Sequence, residues 1–252
     1  MPPLAVIGGS GFSRWEALQV ERRSDVVTAY GPPSAPLLRG HVAGREVLFL
    51  ARHGDPHRIP PHLINYRANI AALRDAGARQ VVAFAAVGGI TAGLAAGDLL
   101  VPDGILDYTH SRAHTFVDGD AQAVTHIDFT HPFDAGLRQR LLAAAWSVGV
   151  AVRDGGTYAA TQGPRLESAA EIRRLERDGA DIVGMTGMPE AALAREAGLA
   201  YAMLAVVAND AAGKGESAAA VALDAAQGAF EAGMARARGV LLALLRMNEG
   251  GA

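Results

Sequence analysis

Four apolar runs in this chain hand over directly to polar groups. Residues 4–7 lead into Ser10, 47–51 into Arg52 and His53, 182–183 into Thr186, and 200–208 into Asn209. Each residue type has a chemistry. The planar fork of an arginine matches an oxyanion. Hydroxyls beside glycine-rich turns add neutral donors, and the free N–H groups at a helix start favour negative charge. An asparagine amide both donates and accepts, while a carboxylate such as that of Glu167 only accepts. Together these types suit a ligand with an anionic group and a planar polar edge. Bland readings compete with each. A hydroxyl at Thr186 also caps turns, Arg52 has an ion-pair partner to hand in Asp55, and Glu167 reads equally well as a solvated charge.

The elements that must position these groups follow from the same sequence. Residues 4–7 read as a buried strand ending in Gly8-Gly9-Ser10-Gly11-Phe12, where glycines permit positive φ and an anion nest. A dinucleotide fingerprint would need a third glycine at Arg14, and no Walker lysine follows. Strands are expected at 47–51, 81–87, 99–102, 105–108, 156–161 and 200–208. Helices are expected at 65–76, at 137–148 and from 168 to about 179, where Ser168 and Glu171 form a capping box. Residues 181–198 read as strand, turn and helix, with Pro189 in the first helical turn and Gly198 as the stop. A long alanine-rich helix, with one possible break, is expected from 216 to about 245. Residues 109–133 form a long polar loop carrying four histidines, read as a cover for a site or a neighbouring subunit. Strand and helix alternate without repeat or linker, so one α/β domain over 1–252 is expected. In such sheets ligands bind where strands end and helices begin.

Composition narrows the function. The net charge of −3 gives no electrostatic case for nucleic acid, and the absence of cysteine rules out disulfides, thiolate metal sites and a cysteine nucleophile. No run has the length of a membrane span and no basic leader precedes the first strand, so a soluble cytoplasmic protein is expected. His53, His57 and His62 lack the zincin pattern, and Pro60-Pro61 interrupt any helix there, so no metal is expected.

Five separated motifs carry a resemblance over nearly the whole chain. They are Ile7-Gly8-Gly9-Ser10-Gly11, Arg52-His53-Gly54 with His57, Asn65-Tyr66-Arg67-Ala68-Asn69, Gln162-Gly163-Pro164-Arg165, and Gly184-Met185-Thr186 with Pro189-Glu190. In this order they resemble the trimeric purine nucleoside phosphorylases, and within these the methylthioadenosine and methylthioinosine phosphorylase branch. The resemblance implies a single domain with a twisted, partly barrelled mixed sheet flanked by helices. It also implies a homotrimer that splits a purine nucleoside with inorganic phosphate as co-substrate, with no metal or other cofactor. Carried over by motif, Ser10, Arg52, His53 and Thr186 would bind phosphate with the backbone at Ala85 and Ala86. Met185 would lie against the ribose, and His126 would reach a neighbouring subunit's sugar pocket. His53 and Asn209 would be the catalytic pair.

Departures from the adenine-type pattern concern the base and the sugar. Relatives of that type carry threonine at Ala85, aspartate at Asn209 and Ala211, and serine at Glu167. An amide at Asn209 can donate to a 6-carbonyl, and Glu167 can accept from the adjacent ring N–H, so a 6-oxopurine fits better than adenine. Asp210 and Ala211 complete the base end of the expected site. Inosine and guanosine phosphorylases of the family place a histidine on the late helix against the 5′ hydroxyl. Here the matching stretch is Ala220-Val221-Ala222-Leu223, an apolar wall suited to a methylthio group with Leu223 in contact. The expectation is therefore phosphorolysis of 5′-methylthioinosine. A general inosine and guanosine phosphorylase, a methylthioadenosine phosphorylase and a non-catalytic nucleoside sensor stay open as alternatives. A sensor has no need of the phosphate residues, which argues against it.

Overall fold

The computed structural model describes residues 1–117, 119, 123–221 and 226–247. Its frame is one mixed sheet. In chain order the elements are β1 (Leu4–Gly8), β2 (Gln19–Ser24), β3 (Leu37–Val42), β4 (Arg45–Ala51), α1 (Tyr66–Asp75), β5 (Gln80–Gly89), β6 (Leu99–Val101) and β7 (Gly104–Asp107). Then come α2 (Ala135–Ser147), β8 (Arg153–Asp154), β9 (Thr157–Ala160), α3 (Ala169–Arg177), β10 (Ile182–Gly184), α4 (Gly187–Glu196), β11 (Ala200–Asp210) and α5 (Gln227–Arg246).

The sheet branches at β5. One path runs β2-β3-β4-β1-β5-β10-β9-β7, while β11, β6 and β8 leave β5 on its other edge. Along 80–83 the strand pairs parallel with β1; at Gly88 and Gly89 it pairs antiparallel with β10 instead. Between these two partners the edge of β5 opens, and the ends of β1, β4, β10 and β11 gather around the opening.

The central strands are apolar on both faces because helices cover both. In β11, Tyr201, Met203, Ala205 and Val207 join a core with Ile70 and Leu73 of α1 and Leu193 of α4. The alternating Ala202, Leu204 and Val206 join a second core with Leu141 of α2 and Val240 and Leu241 of α5. The period-2 alternation therefore separates two buried layers rather than core from solvent.

Most expected elements are present. Asn65 caps α1 by accepting from Ala68 N, and Ser168 and Glu171 close their reciprocal capping box on α3. The helix α2 buries Leu137, Leu141, Ala144 and Ala145, a single stripe at helical spacing. Met188 has extended φ and ψ, so regular helix in α4 begins at Pro189, and Gly198 ends it at φ 70°. Three strands were not expected from the sequence. β2 is polar and mostly exposed, β3 follows it as a meander, and β8 is two residues long. The β3–β4 hairpin turns at Ala43-Gly44, both at positive φ, a conformation asparagine or aspartate normally signals. The expected helix from 216 to about 245 is corrected as well. A short 3₁₀ turn occupies Gly215–Ser217, residues 218–221 are non-helical, and α5 begins only at Gln227.

Two glycines of α5 make a paired test of packing against propensity. A Cβ on Gly233 would stand 2.5 Å from the carbonyl oxygen of Gly97 and 2.9 Å from Val206 Cγ1, whereas one on Gly239 meets nothing within 4 Å. Gly233→Ala is expected to destabilise by about 1–3 kcal/mol despite its gain in helix propensity. Gly239→Ala is expected to stabilise by about 0.5–1 kcal/mol. Urea unfolding of the two variants reads both signs.

Candidate active site

A cavity of about 720 Å³ fills the opening beside β5, within the range of small-molecule sites. Its lining includes Ser10, Arg52, His53, Ala85, Ala86, Met185 and Thr186, and with them Glu167, Asn209 and Ala211. Ten of the thirteen residues expected at the site therefore share one cavity. Asp210 does not line it: its carboxylate accepts from Glu216 N at 2.9 Å and holds the 3₁₀ turn, a structural task. His126 is exposed and does not line its own chain's cavity. Leu223 lies outside the described residues, although its neighbour Val221 lines the cavity.

Arg52 corrects two expectations. Asp55 is not its partner, since that carboxylate pairs with Arg14 at 2.9 Å. Instead Nε and one terminal nitrogen of Arg52 grip the two oxygens of Glu190 at 2.6 and 2.7 Å, and the other terminal nitrogen donates to Phe84 O at 2.8 Å. The Tyr201 hydroxyl donates to the same carboxylate at 2.8 Å. Both charges are fully buried. The fork is thus given to Glu190, and what borders the cavity is the rest of the guanidinium.

The glycine turn after β1 is corrected in the same way. Neither Gly8 nor Gly9 has positive φ; only Gly11 does. Their value is close approach, since a Cβ on Gly9 would stand 2.6 Å from Phe84 O and 2.7 Å from Arg52. The turn therefore packs Gly9 against the Arg52 guanidinium, with Ser10 next to it in the cavity lining.

His53 is held by Ile59, whose carbonyl lies 2.8 Å from Nδ1. A carbonyl only accepts, so Nδ1 carries the proton and Nε2 is the bare nitrogen of the neutral ring. Burial, and then the charge of Arg52, push the His53 pKa down to about 4. His57 stacks on this ring with centroids 4.2 Å apart.

Thr186 lines the cavity and is buried, yet its side chain makes no capping bond to α4. The amides of Thr186 and Gly187 do not stand free for an anion either. Both donate to the buried hydroxyl of Tyr158, at 3.1 and 3.3 Å. At the other end, a bulge at Ala208 interrupts the pairing of β11 with β5, so that Val207 faces Val87 and Asn209 faces Gly88. The extra residue turns the consecutive Ala208 and Asn209 both to the cavity. Asn209 Nδ2 donates to Asp210 O at 2.6 Å, which orients the amide and leaves one N–H and the oxygen for a ligand.

Several residues here escape a reading of the sequence. Arg112, from the long loop, donates to the carbonyls of Met185 and Met188 at 2.8 and 2.6 Å and of Gln162 at 2.8 Å, tying together two sides of the cavity. Ile59, Val221, Gln227 and Phe230 complete the wall. Among the described residues no group of three or more histidines, aspartates or glutamates gathers as metal ligands would. None of their helices is long and apolar enough to cross a membrane.

Comparison with known proteins agrees with this architecture. Residues 3–246 match the Phosphorylase superfamily. The chain belongs to that family. It is 52% identical over 97% of its length, and 99% of the relative's, to a Pseudomonas syringae pv. tomato protein named "Probable S-methyl-5'-thioinosine phosphorylase". It is 45% identical to the 6-oxopurine nucleoside phosphorylase of Pyrococcus furiosus, across 84% of this chain and 81% of that one. Among solved structures, the methylthioadenosine phosphorylase of Schistosoma mansoni in complex with adenine superposes with a TM-score of 0.92. It is 32% identical, over 97% of this chain and 91% of that one. These relatives are named as phosphorylases of nucleosides, pentosyl-transferring enzymes, and this chain has the mixed α/β fold of the superposed structure.

Two measurements check the geometry. Glu190→Gln strips the buried arginine of its counter-charge, and a loss of about 3–5 kcal/mol is expected in denaturant unfolding. For His53 the folded pKa lies below the ordinary 6.5, so between pH 6.5 and 4 the unfolded chain binds the extra proton. Its contribution to stability is therefore full above pH 6.5 and is lost as pH falls towards 4. In ¹⁵N-histidine NMR, His53 is expected to stay neutral, protonated at Nδ1 only, at pH 6.

Proposed function

We propose that this enzyme phosphorolyses 5′-methylthioinosine, giving hypoxanthine and 5-methylthioribose 1-phosphate. One observation carries the reading: Asn209 and Glu167 line the same cavity as Ser10, His53 and Thr186. A base-reading edge and an anion-binding end thus face a single ligand. The names of the two 6-oxopurine-type relatives support the base assignment.

In this reading phosphate lies against Ser10, Thr186, the backbone at Ala85-Ala86 and the part of the Arg52 guanidinium that borders the cavity. The bare Nε2 of His53 accepts a hydrogen bond from a phosphate hydroxyl. A phosphate oxygen attacks C1′ of the sugar as the bond from C1′ to the purine nitrogen breaks, and the bonding pair leaves with the base. Phosphate is itself the nucleophile, so the chemistry calls for no covalent intermediate and no cofactor. Asn209 donates to the 6-carbonyl. As negative charge grows on the five-membered ring, the bare nitrogen of that ring takes a proton from solvent, and the Asn209 oxygen then accepts a hydrogen bond from it. Glu167 accepts from the ring N–H of the 6-oxopurine. Met185 packs on the ribose, and Ile59, Val221 and Phe230 offer an apolar surface for the methylthio group. The two histidines of the cavity come from the segment after β4, not from α5.

The same reading takes residues 1–252 as one phosphorylase domain, assembled as a cytoplasmic homotrimer. The exposure of His126, outside the lining of its own cavity, is consistent with a role in a neighbour's sugar pocket.

Phosphate-dependent release of base from methylthioinosine, inosine and methylthioadenosine, run side by side, tests the proposal. Methylthioinosine is expected to exceed inosine in kcat/KM by about tenfold to a hundredfold, the cost of a buried hydroxyl without a partner. Methylthioadenosine is expected to be a poor substrate. Asn209→Ala is expected to lower kcat more than it raises KM. Equal efficiency on methylthioadenosine and methylthioinosine rejects the base assignment.

A further inference from the structure

Glu167 sits between two hollows. It borders the nucleoside cavity on one side and, on the other, a smaller depression formed with Tyr108, His110, Gln162 and Arg165. It is half-buried, on the irregular segment between β9 and α3, and its long side chain has room in both directions. A base-reading carboxylate needs one orientation, because each rotamer left open is lost again on binding.

The end of β9 supplies the restraint. The hydroxyl of Thr161 donates to Glu167 Oε1 at 2.5 Å. Thr161 is itself fixed, since its amide donates to Gly184 O at 2.8 Å and its carbonyl accepts from Arg112 at 3.3 Å. A hydroxyl on an anchored strand end therefore holds the carboxylate of a loop residue six positions on. The Ser168 and Glu171 capping box fixes the backbone just beyond Glu167 but makes no bond to its side chain.

We infer that Thr161 is a specificity-determining positioning residue. By occupying Oε1 of Glu167 it turns the second carboxylate oxygen to the base, where it accepts the ring N–H of a 6-oxopurine. A 6-aminopurine has a bare ring nitrogen at that place, so an acceptor held there faces an acceptor. The role rests on the base assignment made above. It goes further in placing part of the discrimination in a side chain that need not touch the base.

The test uses the full chain and two substrates, methylthioinosine and methylthioadenosine, with the ratio of their kcat/KM values as readout. Thr161→Val keeps the shape and removes the hydroxyl; Thr161→Ser keeps the hydroxyl. The valine variant is expected to lower the ratio about tenfold, through KM for methylthioinosine, while the serine variant stays within about twofold of the native enzyme. In a Glu167→Gln background, which lowers the ratio itself, Thr161→Val is expected to add nothing. If Glu167→Gln lowers the ratio and Thr161→Val leaves it unchanged, the positioning role is wrong and the base assignment stands. Equal losses in the valine and serine variants also overturn it, by showing that shape and not the hydroxyl matters. A ratio indifferent to Glu167→Gln removes the base assignment and the inference with it. Thr161→Ala, read in the same way, decides the matter should the valine variant not fold.

Discussion

The buried pair of Arg52 and Glu190 is the constraint on which the site depends. Two full charges in a water-free interior are tolerated only when paired and when their remaining hydrogen-bonding capacity is met. Here the fork takes both carboxylate oxygens, Tyr201 adds a donor and Phe84 O takes a further N–H. The partners come from the end of β4, the first turn of α4, the start of β11 and the middle of β5. Satisfying one ion pair therefore fixes four elements relative to one another around the cavity. The glycine turn after β1 closes over the same guanidinium, and only residues without a Cβ leave it space.

Around that centre the cavity is polarised along its length. At its anion end the helix start of α4 offers no free amide, because the Tyr158 hydroxyl takes those of Thr186 and Gly187. What the cavity offers a ligand there is side-chain hydroxyl, the β5 backbone at Ala85-Ala86, a neutral imidazole and the rim of a neutralised guanidinium. That combination suits an anion which must be held firmly yet react, because an unpaired buried arginine would hold its charge too tightly. At the base end the bulge in β11 and the bond from Thr161 do the orienting. Arg112, from the loop after β7, joins the segments after β10 and β9 by gripping the carbonyls of Met185 and Gln162, which explains why that polar loop matters to the site.

Much of this was legible from residue order. The strand ends that deliver Ser10, Arg52, His53, Thr186 and Asn209 are marked by abrupt changes from apolar to polar, and all five residues line the cavity. The capping box at Ser168 and the stop at Gly198 are local events, decided by hydrogen bonds within one turn, and both are present. Less legible were β2, whose polar face gives no pattern, and the hairpin turn at Ala43-Gly44, where alanine gives no sign of positive φ. Alanine-rich composition likewise extended the expected last helix through 216–221, where Asp210 instead holds a 3₁₀ turn.

The sequence by itself determined which residues stand at strand ends and what chemistry their side chains offer, because those depend on neighbours a few positions away. Only the tertiary structure decided who pairs with whom. Arg52 has Asp55 three residues along and pairs with Glu190, 138 residues distant, because burial selects the partner that can be buried too. Asp210 was expected at the base and serves a turn, while Thr161, unremarked in the sequence, holds Glu167. The reason is physical. Propensity and periodicity act over a turn or a strand, whereas the cost of leaving a buried charge or donor unpaired is settled only when distant elements meet.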